Sequence, residues 1–100
     1  MYKKILKEED YKFVVKRNID GKTFYFAAPS HRLNKKYDSY DENKEYHLSF
    51  GQLPYQHYND RLGYYDRLNH NNQKRRENYL NRFGNYKRFS AEHFSTVLLW

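Results

Sequence analysis

The sequence predicts an α+β fold, with an N-terminal β-hairpin and a third short strand packed by two or three short C-terminal helices. Three observations predict it. Asp20-Gly21 sits between two runs rich in aromatic and β-branched residues, Tyr46–Phe50 alternates apolar with polar, and helical spacing follows capping residues at Asn72 and Ser90. At 100 residues the expectation is a single domain, 1–100, because two independent cores would each bury too little surface. Its β-rich half covers 11–50 and its helical half 54–100.

The hairpin comprises Tyr11–Arg17 and Lys22–Ala28, joined through Asn18-Ile19-Asp20-Gly21. Asp20-Gly21 suits a two-residue turn that needs positive φ. Closing the turn there pairs Val15 with Phe26 and Arg17 with Phe24, and puts Phe13, Val15, Phe24 and Phe26 on the expected core face. Pro29-Ser30 ends the hairpin, and residues 31–45, polar, mixed in charge and without periodicity, read as a mobile loop. Tyr46–Phe50 is the third strand, stopping at Gly51.

Beyond Pro54, short helical turns are expected around Tyr58–Leu62 and Tyr64–Leu68, broken at Gly63. The clearest helix is Gln73–Phe83, with Asn72 as its N-cap and Gly84 as its stop. Leu80 and Phe83 are its expected core side. A last helix opens at Ser90, with Glu92 in its first turn and Phe94, Val97 and Leu98 at apolar spacing.

The formal charge is +7, and most of it lies in residues 70–88, where Lys74, Arg75, Arg76, Arg82, Lys87 and Arg88 face Glu77 alone. Arg75, Tyr79 and Arg82 share one face of the helix. Guanidinium groups on such a face can line up along phosphates while Tyr79 stacks or offers its hydroxyl, so the predicted nucleic-acid-binding set is Lys74, Arg75, Arg76, Tyr79, Arg82, Lys87 and Arg88. The competing reading is a solvated helix whose arginines pair with Asp60, Asp66 or Glu92 and whose tyrosine is half buried. The chain also has twelve tyrosines, more than one small core can hold, so several are expected at the surface, where tyrosine suits protein contacts.

Other chemistries find little footing. With no cysteine there is no disulfide, thiolate metal site or cysteine nucleophile. None of the five histidines stands three or four residues from another, so no metal site is predicted, and no cofactor either. His57 and Asp60 can form an acid–base pair but lack a nucleophile and oxyanion hole, so no catalytic residue and no enzyme is expected. The glycines are scattered singly, which excludes a Gly-rich phosphate loop. The N-terminal ten residues have no apolar stretch of an export signal, and no run suits a membrane span, so a soluble protein without membrane partners is expected.

One ordered set of motifs remains: His47-Leu48-Ser49-Phe50-Gly51 followed by Tyr55, His70-x-Asn72-x-x-Arg75-Arg76-x-x-Tyr79-x-x-Arg82, and Phe94-Ser95-x-x-Leu98-Leu99-Trp100. It resembles a family of small basic proteins of unknown function from nucleocytoplasmic large (giant) DNA viruses, over about the last fifty-five residues. Asn72 stands where that family has Asp, Phe83 where it has His, and Phe94 where it usually has Trp. The resemblance implies a small non-enzymatic viral protein, in the virion or the host-cell cytoplasm. Its expected partner is the nucleic-acid phosphate backbone or, alternatively, capsid or core proteins.

Overall fold

In the computed structural model, which describes residues 4–100, the hairpin turn forms on the residues expected of it. Asp20 and Gly21 both take positive φ, 50° and 85°, and Asn18 Oδ1 accepts from the Gly21 N–H at 3.0 Å. Strand β1 (Phe13–Ile19) therefore pairs with β2 (Lys22–Ala28) in the expected register, Val15 opposite Phe26 and Arg17 opposite Phe24. Met1, Tyr2 and Lys3, part of the stretch read for an export signal, lie outside the described residues. The chain divides into two units, one ending at Phe50 and one running from Gly51 to Trp100.

The first unit corrects the sequence reading at one element. Residues 31–45 are not a mobile loop: Lys35–Tyr40 is a strand, β3, paired antiparallel with β2, and its residues 36–40 are all buried. The strand expected at Tyr46–Phe50 is thus the fourth, β4 (Tyr46–Gln52), continuing past Gly51, and the sheet order is β1-β2-β3-β4. A tight turn joins β3 to β4, with Asp41 Oδ1 accepting from Asn43 N and Glu45 N at 2.9 and 3.0 Å.

Both faces of this sheet are covered. On one, Phe24, Phe26, Tyr37 and Phe50 are buried, Phe50 meeting Phe26 edge-on at 5.8 Å and stacking on Tyr37 at 5.6 Å. Phe13 and Tyr37 flank Ala28, and their rings meet at 6.5 Å across that small side chain. On the other face Leu6, Ala27 and Tyr40 pack with Tyr11, Val14, Tyr25 and Tyr46. Strict alternation fails in β4, because Tyr46 and Ser49 reach the Asp38 side while His47 and Phe50 reach Phe24 and Phe26. The break falls at Leu48, whose N–H and C=O both bond the Ser39 hydroxyl (3.2 and 2.9 Å).

In the second unit the expected turn at Tyr58–Leu62 is not helical, and only Asp66–Leu68 forms a helical turn. The reason is Asp60, whose buried carboxylate accepts from Leu62 N and Tyr65 N at 2.9 and 2.8 Å and folds the chain by side-chain bonds instead. Helices α1 (Gln73–Phe83) and α2 (Ala91–Leu99) stand where their caps predict, with Asn72 accepting from Arg75 N and Ser90 from His93 N. Helix α2 buries His93, Phe94, Leu98 and Leu99, whereas no residue of α1 is fully buried and Arg76, Tyr79 and Leu80 are partly so.

Candidate functional site

The terminal carbonyls of α2 explain much of the second unit. Arg61 N–H bonds Leu98 O, Asn59 N–H bonds Leu99 O, Arg61 Nη1 reaches Val97 O at 3.3 Å, and Arg76 Nε donates to Trp100 O at 2.7 Å. Two guanidinium groups thus sit where the helix leaves acceptors unpaired and the dipole favours cations. Arg76 also lies 5.2 Å from the Tyr58 ring. Its charge is committed inside the fold.

Tyr79 is committed too. It stacks on Trp100 with centroids 4.3 Å apart and planes 3° from parallel, and its hydroxyl accepts from Thr96 Oγ1 at 3.4 Å. Burial raises its phenol above the ordinary range, and the Glu92 carboxylate pushes the same way. Two of the seven predicted binding residues, Arg76 and Tyr79, are thus parts of the packing around Trp100.

The other five are exposed. Arg75 donates to Gln56 Oε1 at 3.0 Å and lends positive charge to the helix start, where His70 Nδ1 accepts from Asn72 N at 2.9 Å. Burial, then Arg75, lowers the His70 pKa, so the neutral ring is favoured. Its remaining nitrogen, Nε2, is buried without a hydrogen bond, and the Trp100 ring lies 5.2 Å away, centroid to centroid. The Arg82 guanidinium is 5.9 Å from the Phe83 ring and that of Arg88 is 4.9 Å from Phe89. Among the described residues, none of Lys74, Arg75, Arg76, Arg82 and Lys87 forms an ion pair with a carboxylate. The pairing that the solvated-helix reading expected is thus not seen for those five, whereas the half-buried tyrosine it expected is, at Tyr79.

Phe83, expected in the core, is instead 39% exposed, and Tyr86 is 37% exposed. Phe83 touches Tyr79 at 5.0 Å, and Tyr86 lies flat on His93 at 4.7 Å and 7°. The surface of 82–88 therefore alternates aromatic rings with cations.

The first unit holds a constellation that sequence reasoning missed. Asp38, fully buried, accepts five hydrogen bonds: from Ser30 and Ser49 hydroxyls on Oδ1 (2.5 and 2.6 Å), and from Tyr11 OH, His31 N and His31 Nδ1 on Oδ2 (2.6, 2.9 and 2.6 Å). Burial alone raises a carboxyl pKa, but donation from His31 N–H, Ser30, Ser49 and Tyr11 outweighs it and holds Asp38 below its ordinary value. Proton accounting sets the rest. Tyr11 and Ser49 give their protons to Asp38, so Tyr40 donates to Tyr11 and Tyr46 to Ser49, each at 2.6 Å. Burial and then the Asp38 bond drive the Tyr11 phenol far above its usual range, fixing it as a donor.

With Nδ1 held by Asp38, the His31 side chain is 39% exposed and its ring meets that of Tyr46 edge-on at 5.2 Å. No group of three or more ligating residues accompanies it among the described residues. His57 and Asp60 are each taken up in loop structure, His57 Nε2 bonding Asn69 Oδ1 at 2.7 Å. Among the described residues no helix is long and apolar enough to cross a membrane. No protein-family model, curated protein or solved structure matches the chain.

Proposed function

We propose that the protein binds nucleic acid non-specifically through α1 and the segment that follows, with Lys74, Arg75, Arg82, Lys87 and Arg88 as phosphate contacts. The observation that carries this reading is the first turn of α1. It holds two exposed cations, Lys74 and Arg75, and no acidic residue, against the helix dipole, which disfavours a cation there by about 0.3–1 kcal/mol each. A polyanion reverses the sign of the arrangement, because phosphates gain from the cations and the helix N-terminus together. The role is non-enzymatic, and the viral setting, in the virion or host-cell cytoplasm, is supported by the motif resemblance.

The test is equilibrium binding to DNA over a range of salt. Five phosphate contacts give a log–log slope of roughly −3.5 on single strands to −4.5 on duplex. An isotherm flat from low to moderate salt contradicts the reading.

A second reading, a structural adaptor docking on capsid or core proteins, is favoured by a different observation. Leu33 is 89% exposed and Tyr55 64% exposed, both outside the basic segment. Copurification with a protein partner that survives nuclease treatment, and is lost in Leu33→Asp or Tyr55→Asp, supports it.

A further inference from the structure

We propose that the nucleic acid bound by this segment is single-stranded, and that Phe83 and Tyr86 stack on its bases. The inference rests on the nucleic-acid reading above and adds to it the substrate class and two residues that the sequence did not single out.

Five large apolar residues of the described chain are exposed, and two of them, Phe83 and Tyr86, fall in residues 82–88 beside Arg82, Lys87 and Arg88. Exposed rings among cations suit a strand whose bases are unstacked. In a duplex both faces of every interior base are covered by neighbours, whereas a single strand offers faces to any flat ring and phosphates to nearby cations.

Tyr86 is the better-built platform. Its inner face lies on His93, and His93 is itself fixed, 4% exposed with Nδ1 accepting from Phe89 N at 2.8 Å. The ring is therefore held before any base arrives, so stacking orders few side-chain torsions. Phe83 is positioned by Tyr79, which is fixed in turn against Trp100. Tyr79, the aromatic residue at helical spacing with the arginines, already has Trp100 as its stacking partner. The two residues at the helix end and beyond it take the role that Tyr79 was expected to fill. Arg82 beside Phe83 supplies charge next to one ring, and Lys87 follows Tyr86 directly.

The experiment is fluorescence anisotropy of the full chain with a labelled oligo-dT and with a DNA duplex of equal length, at several salt concentrations. The proposal expects oligo-dT to bind at least tenfold tighter than duplex. Phe83→Ala and Tyr86→Leu should each weaken oligo-dT binding about tenfold without changing the salt slope. Tyr86→Phe, which keeps the ring, should bind as the parent does. Leucine at 86 keeps apolar cover on His93, and Trp100 emission checks that the second unit is still folded. Duplex binding as tight as oligo-dT binding, or loss of both rings within twofold of the parent, overturns the single-strand assignment and leaves the phosphate reading standing. Absence of salt-dependent binding to either probe overturns the phosphate reading itself.

Discussion

Replacing Asp38 by Asn removes one charge and almost no volume, so its cost isolates what the buried carboxylate contributes. The amide oxygen can take the place of Oδ2 and keep Tyr11 OH, His31 N and His31 Nδ1 as donors. The amide nitrogen then faces Ser30 and Ser49, whose hydroxyls must turn to accept. Ser30 Oγ already accepts from Arg32 N at 3.0 Å, and Ser49 Oγ is engaged by Tyr46. The three bonds on Oδ2 become neutral ones, a loss of about 1 kcal/mol each, and the two serine bonds on Oδ1 are lost or reversed, so Asp38→Asn should cost at least about 3 kcal/mol. For a chain of 100 residues, total stability is about 5–15 kcal/mol, so the loss is large. Urea denaturation followed by circular dichroism measures it, and amide exchange in the first unit locates it. The sign with pH follows from the depressed carboxyl. Its contribution is complete above the ordinary value of 3.8 and is lost as pH falls through the lower folded value, so the variant should show a flatter acid limb. A variant within about 0.5 kcal/mol of the parent, with an unchanged acid limb, would refute the argument.

Three further outcomes are expected. Gly84→Ala brings a Cβ within 2.4 Å of Leu80 O, a backbone atom that can yield only by moving the helix end, so thermal melting should show a loss of about 1–3 kcal/mol. Tyr79→Ala, by uncovering Trp100, should lower the stability of the second unit and shift Trp100 emission to the red. Tyr79→Phe should change neither that emission nor the salt slope of nucleic-acid binding. Because the His70 pKa is lowered in the fold, its contribution is complete above about pH 6.5 and declines as pH falls below it. Trp100 fluorescence should report a loss of second-unit stability in that window that His70→Gln abolishes.

What could be read from the sequence was local. The hairpin register follows from two turn residues, and both long helices follow from a capping side chain within three residues of the N–H it satisfies. Strand β3 was illegible because its faces are covered by different chemistry. Tyr37 and Ser39 occupy one parity, Asp38 and Tyr40 the other, so no apolar alternation survives, and an aspartate inside a strand reads as a loop. Only Tyr11, Ser30, His31 and Ser49, arriving from elsewhere in the chain, make that aspartate a strand residue. The candidate interface divides in the same way. Exposure of Lys74, Arg75 and Arg82 follows from a helix with little apolar face, but the roles of Arg76 and Tyr79 depend on Trp100, more than twenty residues away. Phe83 has the spacing of a core residue and lacks a surface to pack on.

The most direct test of the central claim is the salt slope of oligo-dT binding in the triple variant Arg82→Gln, Lys87→Gln, Arg88→Gln, set against a control that neutralises Lys16 and Arg17, an exposed basic pair on β1. Each lost phosphate contact should remove about 0.7 from the slope, roughly 2 for the three, while the control keeps the parental value. Equal slopes in the two variants, or a larger change in the control, would contradict the assignment of phosphate binding to this segment.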